Sequence, residues 1–190
     1  MKRVLLLILA FSFIGFYACK NGSGEASSES NATSNTVEHK GQANVSDGVS
    51  QANALQVAKS LDDFSTLVVA IEAGGVEDAV VNAGPLTIFA PINEAFGKLP
   101  EGTVENLLKP ENKKTLAFIL TNHVAPANYP EKQLKKEAKK GRKLYMASGK
   151  YLEVKDTEEG LFVGGTKILK TVRVSNGWIH VIADVLVPED

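Results

Sequence analysis

A chain of 190 residues with 44% apolar and 23% charged side chains has room for one domain of ordinary size and its appendages. A formal net charge of -1 gives no global attraction to nucleic acid or to a membrane surface, so an electrostatic partner must be met by a local patch. One cysteine, Cys19, excludes an intramolecular disulfide and a thiolate metal cluster.

Lys2 and Arg3 followed by VLLLILAFSFIGFYA read as a charged n-region and an apolar h-region, shorter than the roughly 20 residues a spanning helix needs. Residues 1–18 are therefore expected to be an export signal. Ala18 directly before Cys19 resembles the bacterial lipobox, although Phe16 stands where that pattern favours Leu. The resemblance implies lipidation of Cys19 and attachment of the protein to a membrane through its N-terminal lipid, since two or more acyl chains anchor stably. Lys20 after the cysteine implies the outer membrane, by resemblance to the sorting rule of enteric bacteria, and leaves the face of that membrane open. Residues 19–50 are rich in Ser, Asn, Gly, Thr and Glu and poor in large apolar side chains, which predicts a flexible tether. His39 within it reads as a solvated linker histidine rather than a metal ligand.

The folded module is expected over residues 51–190. Residues Asn53 to Lys59 read as a short helix; Asp62 and Asp63 can cap a second, on which Phe64, Leu67, Val68 and Ile71 share a face until Gly74-Gly75 breaks it. A further short helix carries Val76, Ala79 and Val80 to a stop at Gly84-Pro85. Leu86 to Phe96, LTIFAPINEAF, then reads as a short buried strand, a turn at Pro91 and a helix capped by Asn93. Thr103 and Pro110 open two more helices, the latter with Leu116, Ile119, Leu120 and His123 on one face.

Lys132 to Lys143, KQLKKEAKKGRK, is the strongly basic run. As a functional feature, Lys135, Lys136, Lys139 and Lys140 would meet an anionic glycan or lipid headgroup; as a structural one, they are a solvated helix end. No aromatic residue is interleaved, so the run offers no stacking platform for bases and nucleic acid is not an expected partner. From Leu144 onward the period becomes two, with strands at Leu144 to Ala147, Tyr151 to Val154, Leu161 to Val163 and Lys167 to Val174, as in an antiparallel meander. Asn176-Gly177 signals a type I′ hairpin turn, and the apolar run behind it predicts a central strand covered on both faces.

Two stretches resemble the signatures of the fasciclin (FAS1) family. LTIFAPINEAF followed by Leu99-Pro100 is similar to TVFAPTNEAF and its Leu-Pro; VSNGWIHVIADVLVP is similar to ASNGVIHVIDxVLLP, with Trp178 for an aliphatic residue and Ala183 where the family usually has Asp. Between them, Asn122-His123 stands where the family typically has Tyr-His. The resemblance spans residues 51–190 and implies an α+β FAS1 fold, an antiparallel β-wedge with a cap of several short helices. It also implies a non-enzymatic adhesion module for cells or extracellular matrix, with an extracellular protein or polysaccharide as partner and contacts around Asn93, Asn122, His123 and the strand from Ile179. The alternative is an envelope receptor that holds a small or anionic ligand on the basic run.

Catalytic patterns are missing from the sequence: there is no G-x-S-x-G elbow, Walker loop or H-E-x-x-H, and no cofactor is expected. Ser175, His180 and Asp184 are triad residue types, but the last two lie four residues apart on one strand, about 13 Å along an extended chain. His123 and His180 lack a third metal ligand at suitable spacing. His180 reads as a core histidine that bonds backbone and locks the hairpin to the body of the module, while remaining a candidate binding residue.

Overall fold

The computed structural model describes residues 52–188. The expected export signal, Cys19 and the expected tether with His39 lie outside the described residues.

Helix α1 (Ala54–Lys59) begins on a capping box in which the Asn53 side chain accepts from the Gln56 N–H and the Gln56 side chain accepts from the Asn53 N–H, both at 2.9 Å. A 3₁₀ turn at Asp62–Phe64 leads into α2 (Ser65–Gly74), which stops where Gly75 takes a left-handed φ of 66°. Helix α3 (Glu77–Val81) precedes strand β1 (Leu86–Pro91), and α4 (Asn93–Gly97) and α5 (Thr103–Leu107) follow it. Pro110–Asn112 forms a 3₁₀ turn ahead of α6 (Lys113–Thr121); β2 (Val124–Ala125) and α7 (Glu131–Lys139) come next. The C-terminal third holds β3 (Leu144–Tyr145), β4 (Tyr151–Leu152), β5 (Val154–Thr157), β6 (Gly160–Val163), β7 (Thr166–Val174) and β8 (Gly177–Ile182).

The main sheet has the order β2-β1-β8-β7-β6-β5, and β3 with β4 forms a separate two-stranded hairpin. The antiparallel meander accounts for β5 to β8; β1 departs from it, pairing parallel to β8 with Ile88 opposite Ile179 and Phe89 opposite His180. The two signatures therefore lie side by side at the centre of the sheet. Alternation along them builds two cores. Leu86, Ile88 and Ala90 of β1 and Ile179 and Val181 of β8 face α1, α2, α3 and α6, while Phe89 and Ile182 face Leu134 of α7 and Leu144 and Met146 of the hairpin. Ile168, Val172 and Val174 would share a face in a regular β7. A bulge between Ile168 and Lys170 instead sends Ile168 to the second core and leaves the other two on the first.

Three local expectations change. The hairpin between β7 and β8 turns on Ser175-Asn176, not on Asn176-Gly177, because Val174 pairs with Gly177. Gly177 is needed for a different reason: its φ is 145°, and a Cβ there would collide with the Leu86 carbonyl of the parallel neighbour. Asn93 does not cap its own helix, since α4 starts after Ile92 with no side-chain cap. The strands expected at Leu144 to Ala147 and Tyr151 to Val154 are shorter, because Met146 N–H bonds Lys150 O at 2.9 Å and closes β3 and β4 on themselves.

Candidate functional site

Thr87, Asn122, His123, Asn176 and His180 of the signature regions are buried. On His123, the Ile119 carbonyl accepts from Nδ1–H at 2.8 Å and the Leu186 N–H donates to Nε2 at 2.9 Å, which fixes the tautomer and engages both nitrogens. Burial pushes this imidazole down to about 4, against the upward pull of the Ile119 bond. His180 uses the opposite tautomer: Nε2–H donates to the Tyr129 carbonyl at 2.8 Å, and Nδ1 accepts from the Thr171 hydroxyl at 2.9 Å. Its ring stacks on Phe89 at 5.4 Å, and burial depresses its pKa despite the Tyr129 bond and the charge of Glu131. Neither ring has a lone pair left for a metal or a substrate proton, and the two bond to different backbone groups. Asp184 is likewise committed, to Lys98 at 2.7 Å and to the Thr166 hydroxyl at 2.9 Å, so it does not orient His180. The Lys98 ammonium and Thr166 hydroxyl hold its carboxyl below the usual carboxylate range, against partial desolvation.

Three asparagines tie distant segments. Asn93 accepts from Thr66 N–H at 3.0 Å and donates to the Asp62 carbonyl at 2.9 Å, so it caps α2 from 27 residues away. Asn176, which sequence reading treated only as a turn former, is buried; it accepts from Ala54 N–H at 3.1 Å and donates to Val80 O at 2.9 Å and Asn82 O at 3.3 Å. It thereby docks the start of α1 and the end of α3 onto the β7-β8 turn. Asn122, in the place of the family's Tyr, donates to Leu186 O at 3.2 Å and accepts from the Ser148 hydroxyl at 2.8 Å. Asn122 thus fixes the β3-β4 turn against the C-terminal segment.

What that turn presents is exposed. Tyr145 and Tyr151, opposite each other in the hairpin, are 48% and 63% exposed with ring centroids 5.4 Å apart. Their strand neighbours Leu144 and Leu152 pack into the second core, so the tyrosines point out by alternation. Tyr151, Lys143, Lys150 and Glu153 are among the residues that line one surface cleft of about 280 Å³, together with Gly164 and Gly165. The absence of aromatics inside the basic run is real, yet folding sets an aromatic pair at its end. The mirrored pattern Leu-Tyr, five residues, Tyr-Leu around Ser148-Gly149 is the signal that would have revealed the pair. On α7, Leu134 and Glu137 face inward while Lys136, Lys139 and Lys140 are exposed; Lys135 pairs with Glu131 at 2.7 Å and shares a mixed-charge cleft with Asp156.

A second concavity is apolar. Phe96, Leu107, Leu116, Ile119, Leu120 and Val185 are among the residues around a cleft of about 150 Å³ beneath α5. If it were a closed void, that volume would cost roughly 3 to 4 kcal/mol.

Comparison with known proteins places this geometry. A Fasciclin domain family model matches residues 62–188. The chain is 41% identical over 135 residues to Protein sll1483 of Synechocystis sp., covering 70% of this chain and 72% of that protein. It is 31% identical over 139 residues to transforming growth factor-beta-induced protein ig-h3 of Sus scrofa, covering 72% of this chain and 20% of that much longer protein. A solved FAS1 domain pair from the insect cell adhesion molecule Fasciclin I is similar in fold, with a TM-score of 0.52 at 21% identity over 65% of this chain and 44% of that one.

Proposed function

Because the chain belongs to the fasciclin family, whose domain spans most of it, we propose that it is a non-enzymatic binding module for adhesion at the cell envelope. The similarity to a domain pair from a cell adhesion molecule supports that class. Its ligand on this reading is an acidic polysaccharide of the cell surface or matrix, and the contact surface is the Tyr145-Tyr151 pair with Lys143 and Lys150. The observation that carries this is the contrast between surfaces: the buried polar groups of the signatures are bonded internally, whereas Tyr145 and Tyr151 stand in solvent, Tyr151 on a cleft that Lys143, Lys150 and Glu153 also line. Aromatic faces supply rigid apolar contact at small entropic cost, and lysines supply charge for carboxylate or sulfate groups. The exposed Lys136, Lys139 and Lys140 support a second reading, an envelope receptor for an anionic ligand on α7.

The export signal and the lipobox-like Ala18-Cys19 support display on a lipid anchor at the outer membrane. Among the described residues no helix is long and apolar enough to cross a membrane. Incorporation of labelled fatty acid that is lost in Cys19→Ala supports the anchor; equal incorporation in that variant removes it. For the surface, retention of the full chain on immobilised heparin should fall on replacing Tyr145 and Tyr151 by Ser, more than on replacing Lys136, Lys139 and Lys140 by Gln. The reverse order favours the second reading.

A further inference from the structure

The cleft beneath α5 is lined by apolar side chains, with Thr103 and His123 as its polar residues. Helix α5 contributes Val104 and Leu107 to it, yet no residue of that helix is buried, so α5 covers the cleft without filling it. Leu116 and Leu120 of α6 form the floor, and His123 offers no polar atom there because both ring nitrogens are engaged. One wall carries Leu99 and the other Val185 and Val187; Val187 is 54% exposed and marks the opening. The Lys98–Asp184 ion pair at 2.7 Å links these walls, since Lys98 adjoins Leu99 and Asp184 adjoins Val185.

We propose that this cleft binds the alkyl end of a single-chain amphiphile, a fatty acid or lysolipid, with the headgroup left in solvent at the opening beside Val187. Apart from the Thr103 hydroxyl on the α5 side, the lining offers nothing to pair with a buried carbonyl, hydroxyl or ring nitrogen, and burying such a group unpaired is unfavourable. An alkyl chain meets no such penalty. The volume sets the length of chain taken up: apolar cavities near 150 Å³ hold a molecule of benzene size, so about six carbons enter. Each buried methylene tightens binding about fourfold until the cleft is full.

The test is a titration of the full chain, methyl-labelled for nuclear magnetic resonance, with butanoate, hexanoate, octanoate and decanoate below their micellar concentrations. Methyl signals of Leu107, Leu120 and Val187 should move saturably, and affinity should rise about fourfold per methylene before levelling as the cleft fills near about six buried carbons. Two variants should weaken octanoate at least about tenfold: Ala70→Leu, which fills the cleft from α2, and Val187→Glu, which charges its exposed mouth and leaves the core intact. The proposal is overturned if affinity ignores chain length, if Val187→Glu binds octanoate as the parent does, or if Leu134 in the second core moves as much as Leu107. Diacyl phosphatidylcholine vesicles separate the sources of the chain: they should not bind the Cys19→Ala chain, and binding that Val187→Glu abolishes would overturn the single-chain assignment.

Discussion

The Leu186 N–H donates to Nε2 of His123 at 2.9 Å, joining the C-terminal segment to the end of α6 through a ring that is held neutral. A proton on Nε2 would place two donors against each other.

Burial of this ring makes stability depend on pH in a definite direction. The folded ring has a pKa of about 4 against an ordinary 6.5, so the unfolded chain takes up the proton first as pH falls. The contribution is fully present above about pH 6.5 and is lost as pH falls toward 4. It amounts to roughly 3 kcal/mol. His180, also depressed, acts in the same direction. Urea unfolding at pH 7.0 and at pH 4.5 should show the loss, and His123→Phe should flatten the slope; an unchanged slope in that variant would remove His123 as its source.

Asn176 is expected to be as important as a large core side chain. Asn176→Ala leaves the Ala54 N–H and the Val80 and Asn82 carbonyls without their partner, and should cost about 3 kcal/mol of unfolding free energy. Hydrogen exchange at Ala54 should accelerate along with it. Protection at Ala54 equal to that of the parent would contradict the docking role.

Gly177→Ala should damage the fold more than any exposed substitution. The added methyl meets the Leu86 carbonyl, so β1 and β8 must separate or the variant fails to fold; the expected loss exceeds about 3 kcal/mol. Thermal unfolding of the purified variant reads this directly.

The sequence made the central strands legible because both signatures combine β-forming residues with fixed punctuation at Pro91 and Asn176. The inward placement of His123 and His180 followed from the apolar faces on which they lie. What it did not reveal depended on contacts between segments far apart in the chain. Asn93 looks like a local cap, but the N–H group it satisfies, that of Thr66, belongs to α2. Nothing near Leu86 announces a parallel partner 91 residues later at Gly177. The tyrosine pair was hidden because Tyr145 and Tyr151 meet only across the hairpin turn that sets them in register.

Asn93→Ala should cost about 1 kcal/mol, the usual cost of an uncapped helix, with Thr66 exchange accelerated more than exchange in α4. Faster exchange in α4 alone would return Asn93 to its expected local role.

On the proposed function, adhesion runs through the β3-β4 hairpin rather than through the buried signatures. Cells displaying the full chain should attach to a heparin-coated surface, and those displaying the Tyr145→Ser, Tyr151→Ser double variant should attach at least about tenfold less at equal surface abundance and unchanged melting temperature, as expected for loss of two interface tyrosines. Attachment of the double variant equal to that of the parent would remove the β3-β4 hairpin as the adhesive surface.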